Sequence, residues 1–110
     1  MSREHMDFAN DGEATGTATA SVAIAAVDGQ QHFIRSIHGS FDGAAQIGTM
    51  RFLEGSTVKK FGVHNQRDVY FDPALKFPNN TAAEVKLDLG VSGVNSYVLI
   101  TGWSRNVSVA

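Results

Sequence analysis

Cysteine is absent from the 110 residues. That excludes disulfides and thiolate metal sites outright and leaves packing or assembly to supply stability. Long apolar runs are lacking too. Nowhere does the chain reach the roughly 18 consecutive apolar residues that span a bilayer, so no membrane partner is expected. The opening MSREHMDFANDGEATG has no apolar core of an export signal, which makes a cytoplasm the expected place of synthesis. An excess of positive charge is missing as well: nine Lys and Arg stand against eleven Asp and Glu, for a formal net charge of −2. Non-specific nucleic-acid binding rests on many Lys/Arg–phosphate contacts, so nucleic acid is not an expected partner.

The signatures of catalysis are equally scarce. No GxSxG elbow occurs, and no DxDxDG loop gathers the six to eight oxygens that calcium requires. None of the four histidines has HxH or HxxxH spacing. His32 and His38 lie six apart on one expected strand, hence on one face but roughly 20 Å apart. They are too far from each other to share a metal. With one Trp and two Tyr, a glycosidase with aromatic sugar platforms around two carboxylates is disfavoured. The expectation is a protein without a cofactor or metal, and not an enzyme.

What is present is strand pattern and turn chemistry. Residues 82–103 read AAEVKLDLGVSGVNSYVLITGW. Ala83, Val85, Leu87 and Leu89 alternate with Glu84, Lys86 and Asp88, the period of two that a half-buried strand requires. A glycine-containing turn over 90–95 and a β-branched and aromatic run over 96–103 complete an expected hairpin. Upstream, residues 17–27 form a small-residue strand, and Asp28-Gly29 marks a turn. Residues 31–41 follow, with Phe33, Ile37 and Phe41 in phase. Arg35 interrupts that face, so it sits at an edge, pairs with an acid, or marks a bulge. Residues 46–53 and 57–63 form a hairpin about Glu54-Gly55-Ser56. The two faces of the first of these strands, Gly48/Met50/Phe52 and Ile47/Thr49/Arg51/Leu53, are neither cleanly polar. This points to cover on both sides. Short strands at 67–71 and 75–77 flank Asp72-Pro73.

Seven or eight strands at turn-to-turn intervals of roughly 8–12 residues, without a helix, define an all-β antiparallel sandwich of jelly-roll type. Its expected extent is residues 17–110. Residues 1–16 are polar and acidic, and cannot bury enough surface to offset their ordering entropy. They read as a flexible arm, either a frayed terminus or a segment that orders on a partner, with Phe8 and Met6 as apolar anchors. Lys59 and Lys60, with Arg51 and Arg67, read either as a basic strip on the second hairpin or, the better account, as a solvated face. Neighbouring strand residues point to opposite faces, so Lys59 and Lys60 do not share a patch. Arg51 and Lys59 complete the candidate partner-binding set, and such charges also guard an edge strand.

Several stretches together look familiar: the small-residue first strand, Gly29-Gln30-Gln31-His32-Phe33-Ile34-Arg35-Ser36-Ile37, Phe77-Pro78-Asn79, and Val91-Ser92-Gly93 ahead of the run from Tyr97 to Thr101-Gly102-Trp103. The pattern resembles the small β-sandwich virion proteins of tailed bacteriophages, over about residues 17–103. The resemblance implies a capsid decoration (cement) protein on the virion's outer surface, binding the major capsid protein as a homotrimer at three-fold positions. More distant members of this group are head-fibre or tail-associated proteins. A carbohydrate-binding or host-attachment module is the alternative, with Trp103, Tyr97 and Phe71 as candidate sugar-facing rings.

Overall fold

The computed structural model describes residues 6–14, 19–42, 47–88 and 95–107. They form eight strands: β1 (Met6–Ala14), β2 (Ala20–Ile24), β3 (Gln30–Asp42), β4 (Ile47–Glu54), β5 (Thr57–His64), β6 (Gln66–Lys76), β7 (Ala83–Asp88) and β8 (Asn95–Asn106). All pairings are antiparallel, in the order β1-β8-β3-β6-β5-β4-β7-β2. Between β5 and β6 the ladder is a single pair, His64 with Gln66. The order therefore divides there into two four-stranded sheets, β1-β8-β3-β6 and β5-β4-β7-β2. Strand 1 lies beside 8, 2 beside 7, 3 beside 6 and 4 beside 5, which is one long hairpin wound over on itself: a jelly roll.

The two inner faces supply the core. Ile34, Ile37, Phe41, Val98 and Ile100 come from the first sheet, and Val22, Met50, Phe52, Val63, Val85 and Leu87 from the second. Phe77, just beyond β6, is also fully buried and packs against Phe52 with ring centroids 5.9 Å apart. Burying an aliphatic or aromatic side chain of this size contributes about 1.5–3 kcal/mol. The strict alternation of buried and half-buried residues along β7 and β8 follows from that one-sided burial. Opposite the single-pair seam the sheets' other edges meet closely. A side-chain carbon at Gly12 of β1 would collide with the Ser21 carbonyl of β2.

Four expectations are corrected. The stretch 82–103 is not a hairpin: β7 pairs with β2 and β4, β8 pairs with β1 and β3, and residues 89–94 lie outside the described residues. Alternation fixes which side chains face inward, but two strands can meet through those side chains as well as through their backbones, and here they meet across the core. The arm reading fails for β1, which pairs along its whole length with β8, Met6 opposite Ser104 through Ala14 opposite Ser96. Backbone pairing and the anchoring of Phe8 offset the low hydrophobicity of this segment. The sandwich thus begins before residue 17, and residues 1–5, 15 and 16 lie outside the described set. The two short strands about Asp72-Pro73 are one strand, β6, which passes through a cis peptide at that bond.

The fourth correction concerns β3. Its register against both neighbours shifts between Ile34 and Ser36, so Arg35 marks a bulge. One extra residue flips the faces. Ile37 and Phe41 point into the core while Phe33 points out. His32 and His38, expected on one face, are on opposite ones: His32 is 2% exposed inside the sandwich, and His38 lies outside.

Candidate functional site

The bulge organises the outer face of the β1-β8-β3-β6 sheet. Across it, Asp7, Trp103, Phe33 and Lys76 are register neighbours on four strands. The Phe33 and Trp103 rings stack at 5.0 Å with 4° between planes. Each ring carries a guanidinium: Arg35 lies 5.1 Å from the Trp103 centroid and Arg105 lies 5.2 Å from that of Phe33. Among the described residues neither arginine has a carboxylate within ion-pair distance.

Beside this stack the β3–β6 ladder opens. Ile34 pairs with Leu75 and Ser36 with Tyr70, so β6 spends the four residues 71–74 where β3 spends only Arg35. The excess backbone, which includes the cis bond at Asp72-Pro73, has no register partner on β3. What remains is a groove of about 450 Å³ lined by Arg35, Tyr70, Phe71, Asp72, Ala74 and Trp103. Tyr70, on its wall, is 75% exposed.

Farther along the same face a polar network crosses the strands. Ser36 and Thr101 hydroxyls are 2.6 Å apart. His38 Nδ1 lies 2.5 Å from Asp68 Oδ1, and the His38 ring meets Tyr97 edge-on. The Tyr97 hydroxyl donates to Asp11 Oδ2 at 3.2 Å. Burial foremost, then the charge of Asp11, its hydrogen bond to the phenol and the charge of Glu13, hold the Tyr97 hydroxyl above the ordinary phenol value of 10.0. A second hollow of about 320 Å³ has Glu13, Asp42, Gln66 and Tyr97 on its walls. No group of three or more His, Asp or Glu among the described residues is placed to hold a metal.

The four candidate partner-binding residues do not converge. Met6 and Phe8 are half-buried on the inner side of β1. The Phe8 ring stands edge-on to His32 at 6.2 Å and packs against the core. Arg51 is on the outer face of the other sheet, register neighbour of Lys86 and Lys60, with Nη2 2.9 Å from Asp88 Oδ1. Lys59 is exposed but pairs with Phe52, which puts it on the opposite side of β5 from Lys60. Of the three rings weighed for sugar binding, Trp103 and Tyr97 face outward, whereas Phe71 stacks on Phe52 at 5.6 Å and only borders the groove. Sequence reasoning missed Phe33, Tyr70 and Arg105. The usable signal was Arg35, a cation inside an apolar strand, whose bulge reverses the facing of everything before it.

The outer face of the second sheet differs in character. Register places Leu53 beside Val58, Arg51 beside Lys60 and Ile47 beside His64. Ile47 is 68% exposed and Val58 45% exposed. The β4–β5 hairpin thus shows apolar side chains outward around two cations. Compared with known proteins, the chain matches no family model and no curated protein.

Proposed function

We propose that this protein is a structural component of a bacteriophage virion, a capsid decoration protein that binds the outer shell of the major capsid protein as a trimer and stabilises it. The observation that carries the reading is the outward face of the β4–β5 hairpin, where Ile47, Leu53 and Val58 surround Arg51 and Lys60. Ile47 and Val58 standing exposed beside an arginine give an apolar patch with a cationic centre, a surface suited to a protein contact. The jelly-roll architecture and the resemblance of residues 17–103 to phage β-sandwich virion proteins support it. Three weak contacts joined in one trimer gain avidity without any new kind of contact. A protein that binds only the mature shell stabilises that shell by mass action.

Light scattering on the purified protein, followed by sedimentation with heads assembled without it, tests the proposal. The expected result is a trimer that co-sediments with the heads, and a Val58→Asp variant that folds but stays in the supernatant. Wild-type protein that leaves the heads bare, or a folded Val58→Asp that binds them unchanged, overturns it.

A further inference from the structure

We infer that the groove beside the Arg35 bulge is a binding site for an acidic saccharide, a pyranose chain bearing carboxylates of the uronic or sialic type. The inference is independent of the decoration reading, since the groove lies on the first sheet's outer face and the proposed shell contact on the second's.

The wall chemistry selects the ligand. Tyr70, which is largely exposed, offers ring surface for the C–H face of a pyranose, and Trp103 lines the groove beside it. Asp72 accepts hydrogen bonds from sugar hydroxyls, and the Tyr70 hydroxyl donates or accepts. Arg35 presents a planar fork suited to a carboxylate, held in place by the Trp103 ring and, among the described residues, not neutralised by an acid. A neutral sugar would leave that guanidinium idle. The second guanidinium, Arg105 over Phe33, extends the cationic strip along the stack, which favours an oligomer over a single sugar. At about 450 Å³ the groove is within the range of small-ligand sites.

The backbone argues against an extended acidic peptide as occupant. At this point β3 is paired on one side with β8, and β8 is paired on both sides, with β1 and β3. Where the β3–β6 ladder opens, Arg35 of β3 and residues 71–74 of β6 lack register partners, a stretch too short for an extended peptide to pair along, whereas a sugar is read by side-chain forks. Bulges commonly re-aim side chains beside binding sites, and here one bulge both exposes Phe33 and turns Arg35 over Trp103.

Trp103 is the chain's one tryptophan, so its emission reports the groove directly. Trigalacturonate titrated into the full-length protein, followed by that emission and by calorimetry, is expected to give a saturable change. Maltotriose is expected to bind at least about tenfold more weakly, the loss of one charge-assisted contact. Tyr70→Ala alters an exposed ring and keeps the fold, checked by circular dichroism. It is expected to weaken trigalacturonate about tenfold, as is Arg35→Ala, while Lys59→Ala leaves binding unchanged. No saturable response to trigalacturonate or to sialyllactose overturns the inference. So does unchanged affinity in folded Tyr70→Ala and Arg35→Ala, or polyglutamate binding as tightly as trigalacturonate, which would reassign the groove to acidic protein surfaces.

Discussion

Phe33 and Trp103 stack with ring planes 4° apart on the outside of the sandwich, not in its core. Trp103→Ala should therefore cost the stack, the Arg35 contact and a half-buried surface, about 1–2 kcal/mol. Phe52→Ala, at a 1% exposed position, should cost about 3–5 kcal/mol. Urea unfolding followed by far-ultraviolet circular dichroism measures both. Equal losses would mean that Trp103 is in effect a core residue.

Gly102 lies under the bulge, where a side-chain carbon would overlap the Phe33 carbonyl oxygen. That neighbour is backbone and has no rotamer to escape into. Gly102→Ala is expected to lose about 1–3 kcal/mol or more, because either the bulge or the β3–β8 pairing must shift. Gly62 on β5 has open space where its side chain would be, so Gly62→Ala should stay within about 0.5 kcal/mol of the parent. Melting both variants side by side decides whether the close approach, rather than glycine as such, matters.

His32 is buried with both ring nitrogens engaged. Nε2 lies 2.8 Å from the Ala25 carbonyl oxygen, to which it donates, so Nδ1 accepts from the Ser104 hydroxyl 2.7 Å away. Removing that hydroxyl leaves a buried acceptor unpaired. Ser104→Ala is expected to cost about 1–3 kcal/mol. Ser96 Oγ is buried with no hydrogen-bond partner among the described residues, and Ser96→Ala should be close to neutral. Denaturant midpoints of the two variants check the contrast, and nitrogen shifts of the imidazole should report the Nε2-protonated tautomer.

Alkaline stability should bear the mark of Tyr97. Its phenol is held above 10.0 by burial and by the carboxylates of Asp11 and Glu13. In the unfolded chain the same phenol ionises near its ordinary value, so above that pH the folded state holds the extra proton. The contribution is whole below about pH 10 and declines as pH rises through the folded-state value. Unfolding free energies of wild type and Tyr97→Phe, measured between about pH 9 and pH 12, should show the steeper fall in the wild type. Asp11→Asn should move the Tyr97 absorbance titration down. A curve unaffected by either change would show that the phenol does not sense these carboxylates.

The local rules of the chain were legible and its long-range partners were not. Asp28-Gly29 and Gly55 announced their turns, and both glycines take positive φ, 86° and 60°. The β4–β5 hairpin and the all-β class followed from pattern. Periodicity also identified the inward residues of β7, Ala83, Val85 and Leu87. It is silent about whether two such strands lie side by side or face to face, because both arrangements bury the same residues. Tyr70 and Phe33 escaped notice for a related reason: a single inserted residue at Arg35 changes the facing of a strand without changing its composition. The candidates Met6 and Phe8 were singled out as the sizeable apolar groups of a polar stretch, and that same scarcity is why β1 can be an edge strand, one half-buried ring on its inner side and polar groups toward water.

The position of β8 has a consequence for synthesis. Strand β8, made after the other seven described strands, sits between β1 and β3, and among the described strands it is the one that pairs with β1. A nascent chain on the ribosome therefore carries β1 and β3 with an empty slot between them until residues 95–106 emerge. Until then both present unpaired edges, the state most prone to join with other copies. The sheet β1-β8-β3-β6 closes only once residues 95–106 are free, and a stop codon shortly before Asn95 leaves no smaller jelly roll to fall back on.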